Sequence, residues 1–172
     1  MGDQCPSDSL CYGPPIAFRY LPIGSSWGNV EEEQIFLVDD CDHDAELALR
    51  ALRLCKILNP VRRFREGESL LKYFSSGESS SPPILLLLDL LLPQKSGLDV
   101  LKVLERTGLP NRCPVIMMTG VTDSKAVAEC YQAGAASFLV KPISVEDVMN
   151  LVGHLPRIRI ESKSTGYLVH KA

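Results

Sequence analysis

A chain of 172 residues holds one domain with little left for a second. With 45% hydrophobic and 23% charged residues it lies near the soluble average, which excludes disorder over most of its length. A formal net charge of -3 gives no general attraction to nucleic acid or to a lipid surface, so neither DNA nor a membrane is an expected partner.

Residues 1–33 are rich in Pro, Gly and Ser and show neither a helical nor a strand period. They are expected to form an irregular extension that ends in the acidic run Glu31, Glu32, Glu33, with Tyr20 and Trp27 as candidates for packing on the domain or on a partner. Short β-rich runs follow at 35–38, 61–64, 84–88, 115–118 and 137–140. Helical segments are expected between and after them, at about 44–58, 67–75, 97–107, 122–134 and 144–154. Ser96 with Asp99, and Ser144 with Asp147, have the spacing of capping boxes, while Gly108 and Gly134 stand where two helices should stop. The stretch 75–83 reads as a mobile low-complexity loop. Residues 156–172 carry a basic excess and read as a solvated tail, the alternative being contact with the acidic run.

Five β-α repeats with nearly uninterrupted apolar strands imply an α/β fold, a parallel sheet covered by helices on both faces. The longest apolar block, 84–92, is broken by Asp89 and falls far short of the roughly 20 residues of a membrane span. The six cysteines show no C-x-x-C pair and no zinc-like spacing with the histidines, and no secretory leader pattern opens the chain. A cytoplasmic protein with reduced thiols is expected.

Open parallel sheets collect their functional residues at the carboxyl ends of the strands. Here the first strand ends in Asp39-Asp40, the third in Asp89, the fourth in Thr119-Gly120 and the fifth in Lys141-Pro142. Three carboxylates at one edge repel one another unless a cation sits among them. Mg²⁺ suits such a set, because it prefers hard oxygen ligands and pairs with phosphoryl groups. Lys141 and Thr119 would then hold phosphoryl oxygens, and a carboxylate beside the ion could attack phosphorus to give an acyl phosphate. Taken singly, an aspartate at a strand end is more often a turn or cap, and a lone lysine is an exposed charge; Asp42, Asp44, Asp123 and Asp147 are read that way. The joint placement at four strand ends is what carries the chemistry.

The motifs IFLVDD, LLLLDLLLPQKSGLDVL, PVIMMTG and AGAASFLVKPIS, over residues 34–155, resemble the receiver domain of two-component response regulators. Thr119 follows Asp89 by 30 residues and Lys141 follows Thr119 by 22, which agrees with that family. The resemblance implies a flavodoxin-like (βα)5 doubly wound sheet of strand order 2-1-3-4-5, as a single domain at 34–155 between the extension and the tail. It implies Asp89 as the phosphoacceptor toward a sensor histidine kinase. Mg²⁺ would be held by Asp40 and Asp89, by Asp39 through water, and by the backbone carbonyl of Leu91. Thr119 and Phe138 would be the switch pair, and Lys141-Pro142 a cis peptide. On this reading the chain is not an enzyme in the ordinary sense, although it catalyses its own phosphorylation.

The segments DDCDHDAELALRAL and FREGESLLKYF, with the longer loop before the third strand, resemble more narrowly the stand-alone receivers paired with phytochrome-type histidine kinases. Output would then run through contact with a downstream protein, or through a homodimer formed at 122–155. Leu91 and Val121 depart from fast-cycling members: neither can orient a hydrolytic water, so a long-lived acyl phosphate is expected. The alternative function is a receiver-like docking or dimerisation module that is never phosphorylated. Two enzyme readings fail on sequence, since Leu91 stands where a haloacid-dehalogenase phosphatase would need a second aspartate, and no P-loop motif occurs.

Overall fold

The computed structural model describes residues 33–77, 81–120 and 124–172. The extension up to Glu32, the middle of the 75–83 loop, Val121, and the start of the fourth expected helix lie outside the described residues.

Five strands form one parallel sheet: β1 (Ile35–Val38), β2 (Val61–Phe64), β3 (Leu85–Asp89), β4 (Val115–Thr119) and β5 (Ser137–Val140). Their order is β2-β1-β3-β4-β5, the doubly wound flavodoxin-like arrangement. Ile35 pairs with Val61 on one side and Leu85 on the other, so β1 and β3 lie in the interior. Every residue of β1, β3 and β4 is buried. Continuous apolar runs are what such strands need, because helices cover both faces. Each buried leucine of β3 contributes roughly 2 kcal/mol, which offsets the cost of ending the strand on a buried carboxylate.

Alternate residues of β1 point to opposite sides of the sheet. Ile35 and Leu37 join a core built with Ala45, Leu49 and Leu52 of α1 (Asp42–Leu54) and Val148, Leu151 and Val152 of α5 (Val145–His154). Phe36 and Val38 join the opposite core, with Leu70 of α2 (Gly67–Ser75), Val100, Leu101 and Leu104 of α3 (Gly97–Arg106) and Cys130 of α4 (Ser124–Gln132). Both capping pairs form. Asp99 N–H and Asp147 N–H donate to the hydroxyls of Ser96 and Ser144, and Ser144 N–H returns a bond to Asp147. Gly108 and Gly134 adopt φ of 72° and 93°, where a side chain would be strained.

Two expectations are corrected. The first helix ends at Leu54, four residues early: Lys56 takes φ 54° and turns the chain away. The segment 156–172 is not a solvated tail. It forms an antiparallel hairpin of β6 (Ile158–Lys163) and β7 (Gly166–Lys171) that docks on the turn between α1 and β2. Tyr167 N–H donates to Lys56 O at 2.8 Å, and Leu58 N–H donates to Tyr167 O at 2.8 Å. Docking this close requires Gly166, where a Cβ would stand 2.2 Å from Lys56 O. Asn59, 2% exposed, completes the junction: its amide donates to Glu33 O and Val169 O at 2.9 and 2.8 Å, and its Oδ1 accepts from Val169 N–H. His170 Nδ1 lies 2.6 Å from Glu33, so the acidic run does meet the basic segment at that residue. Ile57 and Leu58, whose apolar character extends the helical pattern, lie past the helix end and meet this hairpin at Tyr167.

Candidate functional site

At the carboxyl edge β1 gives way to Asp39 and Asp40, β3 ends on Asp89, β4 ends on Thr119, and Lys141 follows β5. Asp39, Asp89 and Thr119 are buried polar residues, at 0%, 3% and 1% exposure, while Asp40 is exposed. Carboxylate oxygens of Asp39, Asp40 and Asp89 all lie within 4.8 Å of one another.

The backbone holds this cluster firmly. Asp39 N–H donates to Phe64 O, and Asp39 Oδ1 accepts from Cys41 N–H at 2.9 Å. On β3, Leu91 N–H donates to Asp89 Oδ1 at 3.1 Å. Gly97 is dictated by the approach of α3 to the strand, since a Cβ there would lie 2.0 Å from Asp89 O. Gly97 N–H donates instead to Leu90 O, which clamps the turn that presents Asp89. The Lys141-Pro142 peptide is cis, and Lys141 N–H donates to Thr119 O.

The Lys141 ammonium is shared by three carboxylates, 2.7 Å from Asp89, 2.8 Å from Asp39 and 3.1 Å from Asp44. Burial alone would pull the lysine's pKa down, but its hydrogen bonds to Asp39, Asp89 and Asp44 outweigh that and hold it above its ordinary value. Burial pushes Asp39 the other way from a normal salt bridge: desolvation raises its pKa despite the opposing pull of Lys141. One ammonium thus faces Asp39, Asp44 and Asp89, with Asp40 beside them. Asp39 Oδ2 is buried and takes no well-aligned hydrogen bond, although it pairs in charge with Lys141. An all-oxygen set of four carboxylates around one ammonium, with surplus negative charge, fits a hard divalent cation such as Mg²⁺.

Of the residues expected at the site, the structure brings Asp39, Asp40, Asp89 and Lys141 together and puts Thr119 on the adjacent strand end. Leu91 is 63% exposed just after β3. Phe138 is half-buried in β5 with its ring 5.0 Å from that of Tyr131 on α4. Two participants were not singled out from the sequence. Asp44, read as a cap or solvated charge, reaches Lys141 from the first turn of α1. Arg63 on β2 donates from Nε and Nη2 to Asp39 O at 3.2 and 2.9 Å, and from Nη1 to Asp42 at 2.6 Å. Asp42 is held below the usual carboxylate range by its hydrogen bonds to Arg63 and then Arg65. A pair of arginines inside a strand was the available signal for the second.

The chain is 32% identical over 138 residues to the "Probable methanogenesis regulatory protein FilR2" of Methanothrix harundinacea (strain 6Ac), covering 77% of this chain and 89% of that one. Among solved structures it is similar to the bacteriophytochrome response regulator RtBRR, with TM-score 0.69 and 29% identity over 77% of this chain and 83% of that one. It is similar also to the bacteriophytochrome response regulator AtBRR, with TM-score 0.63 and 31% identity over 73% and 94% of the two chains. Residues 35–153 match the model of the response regulator receiver domain, and the chain belongs to that family.

Proposed function

We propose that this chain is a response regulator receiver that accepts a phosphoryl group on Asp89 from a sensor histidine kinase. The observation that carries the reading is Asp89 itself: a carboxylate 3% exposed at the end of a central strand, in an acidic trio and 2.7 Å from an ammonium. In the reaction an Asp89 oxygen attacks phosphorus, a P–O bond forms, and the P–N bond of a phosphohistidine donor breaks with its electron pair leaving on the imidazole. Lys141 and Thr119 bind the phosphoryl oxygens, Lys141 moving from carboxylate to phosphoryl. Asp39, Asp40 and Asp89, with the backbone carbonyl of Leu91, would hold Mg²⁺. The ion, when bound, screens the charge between acceptor and donor.

Thr119 and Phe138 act as the switch pair, the ring turning inward as the hydroxyl moves toward phosphate. The similarity to two bacteriophytochrome response regulators supports a phytochrome-type kinase as the donor. The exposed Tyr131, Val140 and Met149 support output by protein contact or homodimerisation on that side of the domain. Among the described residues no helix is long and apolar enough to cross a membrane, and Cys41, Cys55, Cys113 and Cys130 are free thiols. Both fit a cytoplasmic protein.

The test is intact mass after incubation with acetyl phosphate, with and without Mg²⁺, for the wild type and Asp89→Asn. A Mg²⁺-dependent phosphate adduct absent from the variant is expected. No adduct under any condition would overturn the reading in favour of an unphosphorylated docking module.

A further inference from the structure

The turn from β1 into α1 carries Asp39, Asp40, Asp42 and Asp44, four carboxylates within six residues. Flexible, such a turn could offer several sets of oxygens to a cation. Nothing local stiffens its helix end in the usual way, since α1 opens on Cys41 and that side chain makes no capping hydrogen bond. The Cys41 N–H bond to Asp39 Oδ1 ties the turn locally, and the neighbouring strand fixes it from the side. Arg63 stands opposite Leu37 in the β1–β2 register, and its side chain is only 9% exposed. Two of its donors converge on the Asp39 carbonyl and a third holds Asp42 Oδ1. Arg65 reaches the same Asp42 oxygen at 2.7 Å.

We infer that Arg63 is a positioning residue for the cation site: its guanidinium fixes the turn so that Asp39 and Asp40 face Asp89, and it withdraws Asp42 from the competing carboxylates. This rests on the proposed function, because it assigns how that site is kept in shape. The side chains sort cleanly on this view. Lys141 gathers Asp39, Asp44 and Asp89, the two arginines gather Asp42, and Asp40 stays exposed beside the cluster. Lysine could not replace Arg63, since an ammonium lacks the planar fork that spans a carbonyl and a carboxylate together.

Charge and positioning make opposite forecasts. As a mere positive charge near the cluster, Arg63 would repel a dication, so Arg63→Gln would bind Mg²⁺ more tightly and Arg63→Lys would match the wild type. As a positioning residue its loss weakens binding even when the charge is kept. Residues that orient metal ligands typically account for 10–100-fold in affinity. The experiment is calorimetric titration of Mg²⁺ into the unphosphorylated full chain, with folding of each variant followed by circular dichroism. Arg63→Lys and Arg63→Gln should both bind about tenfold more weakly. Adding Asp42→Asn to Arg63→Lys should recover part of the loss by removing the released competitor. Wild-type binding with an unchanged Arg63→Lys, or a tighter Arg63→Gln, would overturn this inference alone. No Mg²⁺ binding by the wild type would overturn it together with the receiver reading on which it rests.

Discussion

Asn59→Ala should destabilise the protein far more than an ordinary loop substitution. One buried side chain makes three hydrogen bonds there, to Glu33 O, Val169 O and Val169 N–H, and so ties the start of β1 and the last strand of the hairpin to the entry of β2. At a net of about 1 kcal/mol each the loss is about 3 kcal/mol, and the partners left without a bond add to it. Set against the roughly 5–15 kcal/mol that holds a typical domain together, this is a large fraction. Urea unfolding followed by circular dichroism measures it directly. Gly166→Ala attacks the same docking from the other side, because its Cβ would fall 2.2 Å from Lys56 O and 3.0 Å from Leu58 Cδ2. Once the hairpin has lifted, Val169 is no longer there for Asn59 to bond. The double variant should therefore lose clearly less than the sum of the two single losses. A loss below about 1 kcal/mol for Asn59→Ala, or strict additivity of the pair, would refute the idea that this residue holds the hairpin down.

Two further outcomes are expected. Ser144→Ala removes both the bond from Asp147 N–H and the hydroxyl that donates to the Asp147 carboxylate, and should cost about 1 kcal/mol. The Ser144 hydroxyl and the Ser144 N–H both donate to the Asp147 carboxylate and lower its pKa in the folded state, so their stabilisation is complete above the ordinary aspartate value and is lost as pH falls through the depressed one. Carboxyl NMR titration should find Asp147 moved part of the way back toward the usual range in the variant, since the Ser144 N–H bond remains, and an unmoved midpoint would count against the capping box. Leu91 is exposed beside Asp89, the proposed acceptor, and has no side-chain hydrogen bond to offer water. Leu91→Asn should shorten the life of the phosphorylated protein, followed by intact mass after donor removal, as should Val121→Glu; an equally short life in all three proteins would sink the idea of a slow cycle.

Much of the sheet was legible because its strands are buried on both sides. IFLV and LLLLD need no alternation to be read, and the polar residue ending each run marks the edge where chemistry gathers. The hairpin was not legible, and the reasons are physical. Its two-residue turn is Ser164-Thr165 rather than Asn-Gly, and its outward positions carry Arg159, Glu161 and Lys163. The buried part of β7 comes down to Gly166 and Val169, too little to stand out as a pattern. Missing it also lengthened the first helix on paper, since Ile57 and Leu58 are apolar for the sake of a partner more than a hundred residues away. At the site, strand ends gave Asp39, Asp89, Thr119 and Lys141 by position. Asp44 and Arg63 act across the turn between two strands, and that proximity is invisible to spacing along the chain.

Glu33 precedes β1 and Lys171 closes β7, yet Lys171 N–H donates to the Glu33 carboxylate at 3.2 Å, and the Lys171 ammonium reaches Pro82 O just ahead of β3. The polypeptide therefore enters and leaves the described fold at one pole, under the amino ends of the strands, while Asp89 sits at the other. A protein joined directly at Glu33 or at Ala172 would attach at the pole opposite Asp89. The same geometry makes the part from Glu33 to Ala172 a good subject for circular permutation: a short bridge between those two residues would let it be reopened elsewhere without stretching the sheet.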